Sequence, residues 1–531
     1  MLARAGRTLA RGAAGTVVLG GGATVAYAYV DTGFGRQCEF WRTVVPAAVQ
    51  YATCAVRHRK SDPETKSAEY KRLHDKWAPI SLDLILSLRG LYVKFGQAAA
   101  SSPFVPQAYR SAFKALQSDV PSEDSAQIKK VIEAELGPID TIFAHFSETS
   151  CGAASIGQAH VATLHTGERV VVKIQYPDAR RVFAADATCL RALVKLAQPE
   201  ALPAFSEFES QLALELDYRK ELANLRALHE AVMPRYGNRV AIPVALPALC
   251  SERVLTMQHL PGPKLEGEMR RQMAALGMRI DENESMRDWL VRLDAEQQEE
   301  AASFGRSGGD EGEGGKRSLW VRAARLVGLD LSLWLVNKAR DALAIGGGGG
   351  HVSRRASEEA MRARLSALVE VHGYEMFDGG LFNADPHPGN LIAMDDGRVG
   401  LIDYGQCKRL DDGPRRAIAE LMVKVAEDAP PAEVAAAFRR VGVLTEHGGD
   451  EFLAKLARLM FGRISGEMLE REWHKQLHKS DRVTHFPPDL LMVHRVALIL
   501  RGLSVAVRQN ISVAELWRPH ALVALQREPK P

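Results

Sequence analysis

Two short acidic motifs constrain the fold of this chain more than any other part of its sequence: Asn383–Leu391 and Leu401–Gly405. Asn390 stands five residues after Asp385, and Asp403 follows thirteen residues later at the start of an Asp-Tyr-Gly turn. Carboxylate and amide oxygens are the hard ligands that Mg²⁺ prefers. We therefore predict that Asn390 and Asp403 hold Mg²⁺ and that Asp385 orients or deprotonates an acceptor. The alternative is a solvated Asp-Pro turn followed by an aspartate at the end of a strand.

A lysine inside a predicted strand stands upstream of these motifs. Val170–Gln175 is a β-branched run that contains Lys173, and such a run is typical of a strand. In protein kinases, a strand lysine holds the α- and β-phosphates of ATP, and the order Asp, Asn, Asp-aromatic-Gly follows it along the chain. A solvent-facing lysine is common on a strand, so the prediction for Lys173 depends on the segments around it.

The segment before this strand is rich in small residues. Its central positions are Ala153, Ala154, Ser155, Ile156, Gly157 and Gln158. Small side chains allow backbone N–H groups to approach phosphates, so these residues are predicted to bind a nucleotide. Alanines stand where a kinase loop has glycines, and alanine avoids positive φ. The loop is therefore expected to be stiffer than a glycine-rich loop and to differ from it in shape.

A charged, helix-prone segment offers a carboxylate for the lysine. Glu215, Asp217 and Glu221 lie inside a long helix predicted for residues 205–231. On that helix Asp217 and Glu221 share a face one turn apart, whereas Glu215 points elsewhere. Glu221 is predicted to pair with Lys173. The alternative is a solvated helix face.

Together with one further motif, these segments resemble the UbiB-type, or aarF-domain-containing, atypical kinases. The blocks that carry the resemblance are Lys94-Phe95-Gly96-Gln97, Ala153–Gln158, Lys173, Glu215-Leu216-Asp217, Asp385–Asn390 and Asp403-Tyr404-Gly405. They stand in the family's order across roughly residues 75 to 420. The resemblance implies an α+β, two-lobed protein-kinase-like fold with a helical N-terminal extension and a helical C-terminal region. In relatives the extension, which carries Lys94 and Gln97, lies over the site where a protein substrate would dock.

The resemblance also implies an activity and a role for each motif residue. It implies Mg²⁺-dependent binding of ATP or ADP, with ATPase activity more readily than protein phosphorylation. Lys173 would hold phosphates and pair with Glu221, and Asp385 would take the catalytic-base position. The remaining residues would form a family-specific network across the nucleotide pocket: Lys94, Gln97, Glu215 and Asp217. The implied partners are a membrane lipid or isoprenoid-quinone precursor and proteins of a lipid-biosynthesis complex, in support of quinone or membrane-lipid homeostasis.

Two positions depart from the family pattern. Asn383 stands where many relatives carry His, so a supporting hydrogen bond is expected to differ, and Tyr404 replaces Phe and adds a hydroxyl group. Neither change removes a ligand. Two alternative functions stay open: a nucleotide-gated scaffold or lipid-binding pseudokinase, and a protein kinase. The protein kinase is disfavoured because no Ala-Pro-Glu anchor follows Asp403.

The charge balance and the cysteines argue against other classes of protein. Lys and Arg number 68 against 65 Asp and Glu, and no dense basic tract with interleaved aromatic residues occurs, which argues against a nucleic-acid partner. The six cysteines show no paired spacing, so neither a zinc site nor a disulfide framework is predicted.

Residues 1–35 are predicted to be a targeting peptide, a transmembrane segment, or both. Arg4, Arg7 and Arg11 lie in a stretch without acidic residues, which fits an organelle-targeting peptide. The nineteen uncharged residues Gly12–Val30 are enough to span a membrane, although Gly and Ala make them only mildly apolar. The lack of Ser favours a mitochondrial, membrane-associated location over the chloroplast. A cleaved secretory signal is a further alternative.

Four further regions follow from the pattern of the sequence. They are a helical extension (62–147), a kinase-like N-lobe (148–262), a variable, partly disordered insert (263–356) and a kinase-like C-lobe (357–525). The segment 259–262 is predicted to be the hinge between the lobes.

The insert and the C-terminal helix carry separate predictions. Ser307–Gly315 and Gly346–Gly350 are too poor in apolar residues to fold. Leu319–Leu343 between them is predicted to be an interfacial membrane helix or a helix packed on the lower lobe. For the whole insert, an unspliced translated segment is a further alternative. The apolar face of residues 493–507 is predicted to be core rather than membrane-spanning, because two arginines interrupt it.

Overall fold

The structure is a computed structural model that describes most of the chain outside the N-terminus and the segment 272–353. The described residues are 32–101, 105–117, 123–154, 156–197, 202, 205–206, 209, 212–213, 215–265, 267–268, 271, 354–463, 468, 477, 480–481, 483–506 and 510–527. They form two compact units. The first contains the described residues up to Leu222 together with Ala245–His259, and the second contains Ala223–Val244 and the described residues from Leu260 onward.

The predicted mixture of helices and short strands is confirmed. The helices are α1 (Thr32–Arg57), α2 (Pro63–Leu88), α3 (Gly90–Ser101), α4 (Gln107–Phe113), α5 (Ser125–Leu136), α6 (Ile139–Ile142), α7 (Ala179–Ala197), α8 (Tyr218–Tyr236), α9 (Arg354–Gly373), α10 (Asp412–Ala426), α11 (Pro431–Val441), α12 (Asp450–Phe461), α13 (Pro488–Ala506) and α14 (Val513–Gln526). The strands are β1 (Phe143–Ala153), β2 (Gly157–Leu164), β3 (Arg169–Gln175), β4 (Val240–Ala241), β5 (Val254–Gln258), β6 (Leu381–Asn383), β7 (Leu391–Ala393), β8 (Val399–Leu401), β9 (Cys407–Arg409), β10 (Leu444–Thr445) and β11 (Val483–His485).

The first unit is built around an antiparallel sheet in the order β1-β2-β3-β5. Alternate residues of β3, from Val170 to Ile174, are fully buried and pack with the apolar face of α5. Because successive side chains of a strand point to opposite faces, Lys173 lies on the other face of the sheet. It pairs with Ala159 of β2 and Leu255 of β5, so it stands in the middle of three strands.

Helices α2 to α6 confirm the helical character predicted for the extension (62–147), although β1 already begins within that range. The start of α2 follows from its sequence. Asp62 caps the helix by accepting a hydrogen bond from the Thr65 N–H at 2.8 Å, and Pro63 occupies the first helical position. The helix ends at Leu88, because the φ of 54° at Arg89 interrupts the helical backbone before α3 begins at Gly90.

A buried ion pair fixes α1 to α7. Arg36 donates from Nε and Nη2 to the two carboxylate oxygens of Asp186 at 3.0 and 2.7 Å. Burial raises the pKa of Asp186 to about 6, and the Arg36 guanidinium partly opposes this rise. The two-pronged contact gives α1 a defined orientation on the first unit, because a guanidinium and a carboxylate fit together in one plane.

The long helix predicted for residues 205–231 is wrong in its central part. Helix α8 begins at Tyr218, and Glu215 and Leu216 form a turn before it. The Asp217 carboxylate accepts a hydrogen bond from the Arg219 N–H at 3.1 Å. Aspartate favours such bonds to nearby backbone groups, which is why it ends or begins helices more often than it continues them. The predicted one-turn spacing between Asp217 and Glu221 on a helix face therefore does not exist.

The second unit combines short strand pairs with the later helices. Strands β7 and β8 form an antiparallel hairpin, β4 runs parallel to β8, and β6 pairs with β9. The described residues from Asp412 onward are mostly helical, which agrees with the helical C-terminal region that the resemblance implies. The predicted core face of α13 is also confirmed, since five of its apolar residues are at most 1% exposed: Val493, Val496, Ala497, Leu500 and Leu503.

Several predictions fall outside the described residues. These are residues 1–31 of the predicted targeting or membrane-spanning segment (1–35), the glycine-rich stretches of the insert, and the apolar segment 319–343. Among the helices that the structure describes, none combines the length and apolar character needed to cross a membrane.

Candidate active site

An ion pair on the sheet of the first unit joins Lys173 to Glu221, as the sequence predicts. Lys173 Nζ lies 2.5 Å from Glu221 Oε1, and the side chains are only 17% and 8% exposed. Glu221 stands in the first turn of α8, where a carboxylate also interacts favourably with the helix dipole. Two charges withdrawn this far from water require each other, because an uncompensated buried charge is strongly destabilising.

The small-residue loop connects β1 and β2 and is held by its own backbone. Ala153 pairs with Gln158, and the Ala154 N–H donates to the Gly157 carbonyl at 2.8 Å. A Cβ atom on Gly157 would lie 2.3 Å from the Ile174 carbonyl oxygen. Gly157 is therefore needed for the close approach of β2 to β3. Ser155, which the sequence places in the nucleotide loop, lies outside the described residues.

Gln158 directs its amide group into the first unit. Its Oε1 accepts from the Glu123 N–H at 2.7 Å, and its Nε2 lies 3.2 Å from the Glu123 carbonyl oxygen and 2.8 Å from His160 Nε2. The side chain is buried, and burial lowers the pKa of His160. These contacts fix the segment before α5 to β2. Since these contacts engage the side chain of Gln158, its predicted contribution to nucleotide binding would come from its backbone.

The extension motif forms contacts of its own within the first unit. Lys94 Nζ lies 3.7 Å from Glu215 Oε1, which brings together two residues of the predicted family-specific network. Gln97 instead donates to the Leu116 carbonyl oxygen at 2.9 Å. A Cβ atom on Gly96 would lie 2.3 Å from a Leu116 methyl carbon, so this glycine permits the close contact between α3 and the turn that follows α4.

Asp217 forms an ion pair with Arg219, two residues further along the chain. Arg219 donates to both carboxylate oxygens of Asp217, at 2.8 and 2.9 Å, and also to Glu252 at 3.1 Å. Its hydrogen bonds with Arg219 lower the pKa of Asp217. The two acidic residues of the Glu-x-Asp motif thus have different partners: Lys94 for Glu215 and Arg219 for Asp217.

In the second unit, the β7–β8 hairpin places the two predicted metal ligands at the same end. The register pairs Leu391 with Leu401, and the Ile402 N–H donates to the Asn390 carbonyl at 3.1 Å. Asp403 is the next residue, and its Oδ1 accepts from the Gly405 N–H at 3.0 Å, which closes the Asp-Tyr-Gly turn. One amide and one carboxylate from a hairpin end fit Mg²⁺, which commonly takes one or two protein oxygens and completes its shell with phosphates and water. When bound, the ion would neutralise charge on the phosphates.

Asn383 joins the two acidic motifs and is almost fully buried. Its Nδ2 donates to the Asp403 carbonyl oxygen at 2.8 Å, and its Oδ1 accepts from the Asp385 N–H at 2.9 Å. Its own N–H donates to Glu375 Oε2 at 3.0 Å. Asn383, which stands where many relatives carry His, therefore provides a donor to the backbone of one motif and an acceptor to the backbone of the other. Asn383 holds Asp385 and Asp403 in register with each other.

Glu375 lies beneath this junction on a short π-helical turn, Tyr374–Gly379. The side chain is fully buried, and burial raises the pKa of Glu375 to about 8, against a smaller opposing effect of the Asn383 N–H. Tyr404 is also fully buried, which raises its pKa well above the ordinary value. The hydroxyl group that distinguishes Tyr404 from the family's Phe thus lies in the interior of the second unit.

Asp385 carries an ion pair from the C-terminal helices. Arg495 Nη2 lies 3.0 Å from Asp385 Oδ1, and Arg495 Nη1 donates to Gln406 Oε1 at 2.9 Å. The sequence indicated Arg495 only as an interruption of the apolar face of α13. Asn224, whose Nδ2 donates to the Tyr404 carbonyl at 3.2 Å, and Glu375 were likewise missed. A polar residue within an otherwise apolar helix was the available signal for Arg495.

The predicted site residues therefore form two groups. Lys173, Glu221, Lys94 and Glu215 belong to the first unit, and Asp385, Asn390 and Asp403 belong to the second. In the first unit, Lys173 pairs with Glu221 and Lys94 with Glu215. In the second, Asn383 links the backbones of Asp385 and Asp403. The roles in phosphate and metal binding stay predictions.

Comparison with known proteins identifies the class of this domain. Residues 115–283 and 351–431 match the family described as "ABC1 atypical kinase-like domain". The chain therefore contains an ABC1 atypical kinase-like domain, which confirms the predicted resemblance to the UbiB-type kinases and the α+β kinase-like fold.

Two relatives that match this chain are named as kinases. The chain is 24% identical over 466 residues to "Protein ACTIVITY OF BC1 COMPLEX KINASE 1, chloroplastic" of Arabidopsis thaliana, covering 85% of this chain and 56% of that protein. It is 32% identical over 199 residues to "AarF domain-containing protein kinase 1" of Mus musculus, covering 36% of this chain and 37% of that protein. The chain thus spans little more than half of the first relative and less of the second. Among solved structures, a Mycobacterium tuberculosis Rv3197–erythromycin complex matches with a TM-score of 0.44 and 18% identity, over 85% of this chain and 99% of that chain.

Proposed function

We propose that this protein is an atypical kinase-type ATPase that binds Mg²⁺ with ATP or ADP and supports isoprenoid-quinone or membrane-lipid homeostasis in an organelle. The observation that carries the proposal is the buried Lys173–Glu221 pair on the central strand of the first-unit sheet. In protein kinases the equivalent strand-lysine to helix-glutamate pair has to be in place for phosphoryl transfer. The named kinases among the relatives support the same reaction class.

The acceptor, the partners and the compartment belong to the same proposal. A membrane lipid or quinone precursor is the acceptor class, and proteins of a lipid-biosynthesis complex are the partner class, as the family resemblance implies. The name of the Arabidopsis relative refers to the bc1 complex and to the chloroplast. That name supports an organelle and favours the chloroplast alternative over the mitochondrion.

Replacing Lys173 with Ala is expected to weaken MgATP binding by roughly 10- to 100-fold, the usual worth of a hydrogen bond to a charged group. A thermal-shift titration with MgATP measures this. Since the change also leaves Glu221 buried without its cation, the double variant Lys173→Ala/Glu221→Gln provides a folded comparison. The matched control is Lys129→Ala, which removes a lysine from a more exposed ion pair with Glu148 of the same unit. Unchanged affinity in both Lys173 variants would contradict the assignment of Lys173 to phosphate binding.

A second candidate is a nucleotide-gated scaffold. The observation that favours it is the ion pair of Arg495 with Asp385, because Arg495 occupies the predicted catalytic carboxylate. Asp385→Asn separates the two functions. For an ATPase, the variant is expected to bind MgATP like the wild type, to keep only a small residual turnover, and to fail to restore growth or lipid composition in cells lacking the protein. Full restoration by Asp385→Asn, with turnover lost, would instead establish the scaffold.

A further inference from the structure

Arg495 is placed at the edge of the β6–β9 strand pair, beside the predicted catalytic aspartate. The strands pair Asn383 with Cys407, and the Ala384 N–H donates to the Gln406 carbonyl at 2.8 Å. Asp385 and Gln406 therefore leave this strand pair side by side. The guanidinium of Arg495 bonds to both side chains, at 3.0 and 2.9 Å.

Two independent contacts fix Asp385 as a result. Its backbone N–H is held from the buried side by Asn383 Oδ1, and its carboxylate is held by Arg495. A guanidinium is planar and presents five N–H donors in a rigid fork, so a residue that contacts both Asp385 and Gln406 restricts where the Asp385 carboxylate can lie. A lysine has one point of charge and would satisfy these two partners less well.

The helix itself does not need Arg495 for attachment. Its opposite face is buried in the core of the second unit through Val493, Val496 and Ala497. Near its start, Asp489 forms a second ion pair at 2.8 Å with Lys408 of β9. If Arg495 served only to attach α13, it would share that role with Lys408. The contact with Asp385, in contrast, is made by Arg495.

We propose that Arg495 is a positioning residue for Asp385: it fixes the carboxylate of the predicted catalytic base in the orientation required for ATP turnover. The inference rests on the proposed function and adds to it a residue more than a hundred positions away along the chain. It requires that the effect of Arg495 on turnover pass through Asp385.

The test is a double-mutant cycle on the full chain, with kcat and KM for MgATP measured separately. Arg495→Met is expected to lower kcat on the order of 100-fold, the scale on which small displacements of catalytic groups act, and to leave KM unchanged. Arg495→Lys is expected to recover part of the lost kcat. In the Asp385→Asn background, Arg495→Met is expected to have no further effect, because residues that act as one unit are not additive. Lys408→Met, which breaks the neighbouring ion pair of the same helix, is the matched control and should retain wild-type kcat.

Each other result has a distinct meaning. Wild-type kcat in Arg495→Met, equal losses in Arg495→Met and Lys408→Met, or additive losses in the double variant would overturn the positioning role while leaving the ATPase intact. A wild-type protein without turnover would overturn the proposed function. In that case the free energies of unfolding of the same variants, measured with denaturant, decide whether residues 385 and 495 are coupled. Additive effects of the two substitutions on these free energies would remove the basis of the inference.

Discussion

Asp403→Ala is expected to abolish Mg²⁺-dependent ATP turnover while the protein stays folded. Asp403 has two separate tasks in the structure. Its carboxylate is the predicted metal ligand and accepts the Gly405 N–H, whereas its carbonyl oxygen accepts the Asn383 amide. Alanine removes the first set of contacts and retains the second, so the junction between the two acidic motifs is preserved. Loss of a metal ligand should cost more than the roughly 100-fold that loss of an outer partner of a metal site typically costs.

The measurement is ATP turnover by the full chain across a Mg²⁺ titration, with thermal unfolding of each variant recorded in parallel. Asp396→Ala is the matched control, because Asp396 lies in the same β7–β8 hairpin at its turn, is 48% exposed and pairs with Arg398. It should keep wild-type turnover. If Asp403→Ala retains turnover with the same Mg²⁺ dependence, Asp403 does not hold the metal.

The parts of the site that could be predicted are those governed by local pattern. Lys173 stands in a β-branched run whose alternate residues are buried, and this alternation alone places the lysine on the other face of the strand. Asn390 and Asp403 flank a short hairpin, so their spacing in sequence brings them to one end of it. In both cases the distance along the chain determines the distance in space.

The errors and omissions have a different physical origin. The helix predicted for residues 205–231 is interrupted at Asp217, because the Asp217 carboxylate accepts a hydrogen bond from a backbone N–H. The apolar periodicity of the surrounding sequence gives no sign of this bond. Arg495 and Glu375 contact the acidic motifs only through tertiary packing. Arg495 bonds to Gln406 across 89 positions of sequence, and no local pattern specifies such a pairing.

Asn383 shows how a departure from a family pattern can be accommodated. A neutral imidazole offers one donor and one acceptor, and a carboxamide offers both as well. In this chain the carboxamide uses them on the Asp403 carbonyl and the Asp385 N–H. The two acidic motifs are therefore linked through a side chain that does not titrate. Glu375, whose pKa burial raises to about 8, lies one layer deeper in the core.

Glu375→Gln is expected to stabilise the second unit increasingly as the pH rises from 5 to 8. Burial raises the pKa of Glu375 from the ordinary 4.5 to about 8. Below pH 4.5 the carboxyl is neutral in both the folded and the unfolded chain, so it carries no penalty. Between pH 4.5 and 8 the unfolded chain releases the proton and the folded chain retains it, so the free energy of unfolding falls by about 1.4 kcal/mol per pH unit and levels off above pH 8. Glutamine keeps the shape and the acceptor for the Asn383 N–H but does not titrate, so the difference between variant and wild type should grow to the order of 4 kcal/mol across this range.

Denaturant unfolding of both proteins at pH 5, 6, 7 and 8 measures this difference, with Glu370→Gln as a control for loss of a carboxyl group from a half-exposed ion pair on the neighbouring helix α9. The reason for the trend is specific: an ionised Glu375 would be a fully buried charge, and the Asn383 N–H alone compensates it only partly. A constant difference between Glu375→Gln and wild type at all four pH values would show that Glu375 titrates alike in the folded and unfolded chain.

Turnover measured in the same series tests the link to the site, because the Glu375 carboxyl accepts the N–H of the residue that holds Asp385 and Asp403 together. Since a neutral side chain of the same shape preserves that contact, Glu375→Gln should extend the pH range of ATP turnover to the alkaline side rather than reduce its maximum.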